Sequence, residues 1–176
     1  IIDGQQRITT IFILLIAFRS NLKRLLLIDK TKESEINRII SSINSMLLFH
    51  DRDTGETLGT RFTAASSVKT MINYLANPSW QDDFPDKIEK KHIKRQRNRV
   101  KPIYDYFQEK IHDAVNIENY SAFFKTINTL TFVRITLTDF QEAYIFFERT
   151  NSRGKNLEVG DLLKAHLFAN HKDEKE

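Results

Sequence analysis

Ile1-Ile2-Asp3-Gly4-Gln5-Gln6-Arg7 opens the chain, and its reading decides the fold. Two β-branched residues suit the end of a strand. Gly4 suits a tight turn, because glycine takes a positive φ at no steric cost. From Gln5 the sequence runs into residues 11–18, Ile-Phe-Ile-Leu-Leu-Ile-Ala-Phe, apolar all round. A helix apolar on every side is buried on every side. The stretch therefore predicts a strand end, a turn at Gly4 and a long helix over 5–28. Such a junction presents unpaired backbone N–H groups at the positive end of a helix dipole, which suits an anion. Gln5, Gln6 and Arg7 add side-chain donors, and the Arg7 guanidinium matches a phosphate through two parallel hydrogen bonds. Asp3 is the acid of the segment, a candidate to orient Arg7 or to hold a metal ion bound to phosphates. The same residues also read as a helix capped by Asp3 with Arg7 solvated on its first turn.

Downstream, Leu22, Leu25, Leu26 and Ile28 with Lys23 and Arg24 between them make the end of this helix amphipathic. Asp29-Lys30-Thr31-Lys32 interrupts it. Ile36, Ile39, Ile40 and Ile43 predict a second helix over 33–46. Leu47–His50 reads as a short strand and Asp51–Glu56 as a turn, whose three acids lack the spacing of a calcium-binding EF-hand loop. Ala64, Val68, Met71, Ile72 and Leu75 predict a helix over 63–76, stopped by Asn77-Pro78-Ser79 and followed by a loop over 80–85. Residues 119–129 read as helix. Residues 130–137, Leu-Thr-Phe-Val-Arg-Ile-Thr-Leu, alternate and are rich in β-branched side chains, which makes them the clearest strand. Ile1-Ile2 and a segment upstream of residue 1 are its expected partners, since a lone strand is not stable.

Residues 87–101 carry eight Lys or Arg against one acid, Glu89. Within the run, Lys90, Lys91, Lys94, Arg95 and Arg97 are candidate contacts to a DNA phosphate backbone. Ile88, Ile93 and Val100 mark a packed side opposite a wet one, so a solvated helix face is the alternative. No aromatic is interleaved, so base stacking is not expected. Pro102 is expected to kink or restart the helix, with Ile103, Tyr104, Phe107 and Ile111 as an apolar face beyond it.

After the strand, residues 141–150 read as a helix capped by Thr138 or Asp139. A polar loop, Asn151-Ser152-Arg153-Gly154-Lys155-Asn156, leads into a last amphipathic helix over 157–169. Asn151, Arg153 and Lys155 beside the flexible Gly154 suit phosphate, ribose or a nucleobase edge. Equally, Asn151 bonding backbone and Gly154 as a C-cap would make this an ordinary inter-helix turn.

Asp3-Gly4-Gln5-Gln6-Arg7-Ile8-Thr9-Thr10 resembles the DGQQR-L-T-T signature of the ParB/sulfiredoxin-like domain of GmrSD-type restriction proteins. Phe147-Glu148-Arg149-Thr150-Asn151-Ser152-Arg153-Gly154-Lys155-Asn156-Leu157, with Asp161-Leu162-Leu163-Lys164, resembles the same family's F-E-x-x-N-x-R-G-x-x-L…D-L-L-K signature. Glu158 stands where relatives often carry a Ser or Thr cap, and its carboxylate still suits a helix N-terminus. Gly160 weakens that turn by up to ~1 kcal/mol. The two matches bracket almost the whole chain. The resemblance implies a composite nucleotide site: Gly4, Gln5, Gln6 and Arg7 with Asn151, Arg153, Gly154 and Lys155 on the ligand. Asp3 and Arg7 are the candidate catalytic pair, and Glu148 a further candidate to position a metal or water. It also implies an NTP with Mg²⁺ as cofactors, DNA as a partner of the full-length protein, and control of an HNH-type nuclease domain or subunit carried elsewhere.

Composition sets outer bounds. The 176 residues suffice for one domain with a core, or a small domain with a helical extension. Hydrophobic residues at 40% and charged residues at 28% describe a globular chain rather than a disordered one. Thirteen Phe against five Gly favour a helix-rich aromatic core. With no Cys there is no disulfide framework and no thiolate metal site, which fits a cytoplasmic protein. A net charge of +4 permits nucleic-acid binding without requiring it. The apolar run 11–18 is shorter than the ~20 residues a bilayer needs, so no membrane partner is expected. The chain starts with Ile inside a strand, so we expect a fragment lacking its upstream part.

We therefore expect a mainly helical α+β fold. A small, incomplete sheet packs on the buried helix, and a helical bundle makes up most of the rest. Residues 1–30 hold the first motif, 31–129 a helical subdomain with the basic segment, and 130–176 the returning strand and the second motif. Three functions compete: an NTP-binding and NTP-hydrolysing regulatory domain, a ParB-like nuclease, and a DNA-binding module without catalysis. No G-x-x-x-x-G-K-[ST] is present, which excludes a P-loop. The five His form no H-N-H or H-x-x-x-H cluster, so cleavage of DNA by an HNH mechanism is not expected of these residues. One acid beside one arginine is thin support for a two-metal nuclease, which needs several converging carboxylates. Whether a homodimer forms stays open at this level.

Overall fold

Helix α1 spans Gln5–Ile28, as the apolar run predicts. The computed structural model describes residues 4–80, 84, 90–133 and 146. Residues 4–130 make up one unit, and residues 1–3 with 131–176 a second that falls almost wholly outside the described residues. In the first unit, α1 buries Phe12, Ile13, Leu15, Ile16, Ala17, Phe18, Leu22 and Leu25. Each Phe, Ile or Leu among them contributes about 1.5–3 kcal/mol on leaving water. The Phe18 ring meets Phe123 at 4.9 Å. The last turn departs from expectation: Ile28, placed on the apolar face by the sequence, is exposed, as is Leu27. There the chain leaves the helix through the extended residue Asp29, whose carboxylate accepts from Thr31 N–H at 2.8 Å and starts a 3-10 turn over Lys30–Lys32.

Helix α2, Glu33–Leu47, presents Ile36, Ile39, Ile43 and Leu47 to the core. Ile40 sits half-buried at the edge of that face. A two-stranded antiparallel hairpin follows, β1 over Leu48–His50 and β2 over Thr57–Thr60. Leu48 pairs with Thr60 and Phe49 with Gly59, then the register slips so that His50 meets Thr57. The connecting turn is the one predicted. The Asp51 carboxylate accepts N–H from Asp53 at 2.9 Å and Thr54 at 2.8 Å. These bonds, that of Thr54 foremost, hold it below the ordinary carboxylate range. Arg61 ties the hairpin to α2, donating from Nε to the Ser45 and Leu48 carbonyls.

This hairpin is the sheet among the described residues. The sheet expected from Ile1-Ile2 and 130–137 lies mostly outside them. Residues 130–133 are described, and they carry no regular secondary structure. Residues 134–137 and Ile1-Ile2 lie outside the described residues.

Helix α3 spans Lys69–Ala76, shorter than the predicted 63–76. Phe62 and Ala64 are buried, but in irregular backbone that leads into the helix through Val68. Both ends of α3 are held from outside. Gln96 accepts from Met71 N–H and donates to the Ser66 carbonyl, each at 3.1 Å. At the other end Arg19, fully buried in α1, donates to the carbonyls of Leu75 (2.7 Å), Ala76 (2.9 Å) and Asn77 (3.2 Å), and to Asn44 Oδ1 (2.8 Å). These are the carbonyls a helix end leaves without partners, and the dipole there favours a cation.

Helix α4, Lys91–Ala114, packs on α1 and α3. It runs through Pro102 as one helix, so the helix does not restart there. Both Pro102 and Asn98, whose carbonyl loses its donor, are exposed, so the freed group stands open to solvent. Trp80, Phe84 and Tyr104 meet mutually edge to face, at 5.3–5.7 Å between centroids. Helix α5, Tyr120–Asn128, closes the unit. The described fold is mainly helical with a small sheet, as expected at that level. Among the described residues no helix is long and apolar enough to cross a membrane.

Candidate functional site

The junction before α1 has the conformation the sequence asks for. Gly4 sits at φ 91°, ψ −7°, and is the N-cap of the helix. A Cβ there would meet no atom within 4 Å, so backbone conformation alone selects glycine. Its carbonyl accepts the first helical bond, from Ile8 N–H at 2.9 Å. With glycine at the cap, no N-cap side chain bonds the N–H groups of the first turn. The Thr9 and Thr10 hydroxyls turn the other way, donating to the carbonyls of Gln5 (2.7 Å) and Gln6 (2.8 Å).

Gln6 and Arg7 are exposed, and Gln5 is half-buried. Among the described residues the Arg7 side chain has no hydrogen bond or ion pair. Gly4, Gln5, Gln6 and Arg7 thus follow one another through the cap and first turn of α1. The rest of the expected site, Asp3, Glu148, Asn151, Arg153, Gly154 and Lys155, lies outside the described residues. The donors suit an anion, and none of the four is a base. Among the described residues no group of three or more His, Asp or Glu converges on a metal position.

The basic segment forms the first half of α4. Lys90, Lys91, Lys94 and Arg95 are exposed, and Arg99 is exposed with them. Arg97 is half-buried, towards the side where Gln96 and Val100 pack.

Two further sites were not foreseen. Arg19 and Gln96 hold α3, and nothing in a linear pattern distinguishes them from surface residues. The other is Tyr120, whose hydroxyl is pushed up to about 12 by burial and then by Glu35 beside it. In return the Tyr120 hydroxyl, foremost, holds the Glu35 carboxyl below its ordinary range. Glu35 also lines an open surface depression with Thr31, Lys32, Ser34 and Arg38.

No curated protein and no solved structure matches the chain. The family model described as the GmrSD restriction endonuclease N-terminal domain matches residues 1–168, from the DGQQR junction through the second motif. The chain belongs to that family.

Proposed function

We propose that this chain is a nucleotide-binding, NTP-hydrolysing regulatory domain of a restriction system that acts on modified or foreign DNA. Family membership supplies the restriction setting. The observation that carries the nucleotide reading is the exposed Arg7, without a partner among the described residues, beside the first turn of α1 with glycine at its cap. A polyphosphate there receives backbone N–H bonds and the helix dipole, and Arg7 clamps a terminal phosphoryl group. Asp3 orients Arg7 or holds Mg²⁺ on the phosphates. The Asn151, Arg153 and Lys155 side chains of the second motif take the remaining phosphate, ribose or base edge. Hydrolysis then rests on electrostatic stabilisation of the charge that develops on the transferred group. The nucleotide state governs an HNH-type nuclease domain or subunit.

Isothermal titration of the full-length protein with ATP, GTP, CTP and UTP in the presence of Mg²⁺ tests this. We expect saturable binding of one nucleotide, lost in Arg7→Ala and in Asn151→Ala. Wild-type protein that binds none of the four sinks the reading.

A further inference from the structure

Helix α4 is charged against its own dipole. Residues 91–101 include five Lys or Arg besides Lys101 and no acid, whereas residues 102–114 hold Asp105, Glu109 and Asp113 against Lys110. A helix favours anions at its N-terminus and cations at its C-terminus. Here the first turn has no acid, and the N-cap Lys90 offers no side-chain cap. Lys101 pairs with Asp105. Lys91, Lys94, Arg95 and Arg99 have no ion pair among the described residues. Among the described residues nothing offsets this charge, and a local rule broken without compensation marks a surface kept for something else.

The four form one face. At 100° per residue they fall on a single stripe, all exposed, while Gln96, Val100 and Tyr104 on the reverse are buried. Lys91 to Arg99 spans ~12 Å of helix. One strand of duplex DNA offers a phosphate about every 3.4 Å of axis, so the stripe faces about three to four phosphates, which matches its four cations. No apolar or aromatic side chain interrupts the stripe, so it has nothing to stack on a base or wedge between bases. The apolar face of α4 is committed to the core, and the helix cannot turn it into a bilayer.

We propose that the Lys91, Lys94, Arg95 and Arg99 face of α4 docks on the phosphate backbone of duplex DNA without reading its sequence. This surface is independent of the nucleotide reading. The test uses the full-length protein, a labelled duplex of arbitrary sequence and fluorescence anisotropy over a KCl series. The combined Lys91→Ala, Lys94→Ala, Arg95→Ala and Arg99→Ala variant is compared with a control, Lys110→Ala with Lys125→Ala. Four lost phosphate contacts lower the log–log salt slope by about 3.6. The control leaves the slope unchanged. Because the removed charges oppose the dipole, the combined variant melts at or above the wild-type temperature, and nucleotide titration is unaltered. Arg95→Gln alone lowers the slope by about one, and serves as a second reading should the combined variant fold poorly. A wild-type protein that ignores the duplex overturns the proposal. So does a slope unmoved by these changes, an equal loss in the control, or a preference for phosphatidylserine vesicles over DNA.

Discussion

Replacing Arg19 by Met tests whether its buried guanidinium holds α3 in place. The change keeps an apolar stem of similar length inside the core and removes four donated bonds. The bonds to Leu75 and Ala76 are buried, so those two carbonyls would be left without a donor or water. Each orphaned acceptor costs about 1–3 kcal/mol. The Asn77 carbonyl and Asn44 Oδ1 are reachable by water and cost less. Relief of the guanidinium's own desolvation offsets part of the sum. We expect a loss of about 3 kcal/mol, a large share of the 5–15 kcal/mol typical of a domain. Urea denaturation followed by circular dichroism reads this as a fall of about 1.5 M in midpoint, for a slope near 2 kcal/mol per M. Arg19→Lys keeps the charge at the α3 terminus but not the planar fork, so about half the loss returns. Arginine stays protonated throughout, so the deficit is the same from about pH 5 to 9. An Arg19→Met protein within about 0.5 kcal/mol of wild type would refute the account, as would Arg19→Lys being equally damaging.

Gln96→Leu strips the other end of α3, orphaning the Met71 N–H and the Ser66 carbonyl, and should cost about 2 kcal/mol in the same assay. A neutral substitution would mean that water replaces the amide. Tyr120 keeps its proton in the folded state up to about pH 12, where the unfolded chain releases it near 10. Its contribution is therefore complete below about pH 10 and lost as pH climbs towards 12. Urea midpoints across that window should fall more steeply for wild type than for Tyr120→Phe, and parallel curves would contradict this.

Local periodicity carried α1, α2, the β1 turn, α4 and α5, because each buries a face written in consecutive residues. The turn at Gly4 was legible for the same reason, since a lone glycine before an apolar run has few other uses. Position 28 was misjudged because a helical wheel does not show where the core stops. The start of α3 was set too early: Ala64 has the right spacing and is buried, yet it packs from irregular backbone. Arg19 and Gln96 were invisible, since their partners lie 25 to 58 residues away. Of the candidate site, the described part is Gly4–Arg7, where Gln6 and Arg7 are exposed and Gly4 and Gln5 half-buried. The basic run was read as one segment, but only its placement on a helix separates the outward Arg99 from the half-buried Arg97.

Helices α1 and α4 also fix how far apart the two proposed surfaces stand. Gln108 donates to the Ala17 carbonyl at 2.9 Å. Four residues earlier, Tyr104 packs on Trp80, whose carbonyl takes the Lys23 ammonium at 2.8 Å. Moving back along α4 therefore means moving forward along α1, and the pair is antiparallel. From Ala17 to the start of α1 is ~18 Å, and from Gln108 back to Lys91 is ~26 Å in the opposite direction. The Arg7 cluster and the α4 stripe lie roughly 30–40 Å apart along the pair. Surfaces that distant respond additively to substitution unless a shared element couples them. Any dependence of DNA affinity on bound nucleotide must then travel through packed elements that have two arrangements. Among the described elements helix α1 joins the Arg7 end to α4, and Arg19, in its middle, ties it to α3. If nucleotide changes DNA affinity in wild type but not in Arg19→Lys, with both ligands still bound, the signal runs through that contact. If the coupling survives Arg19→Lys unchanged, it takes another route.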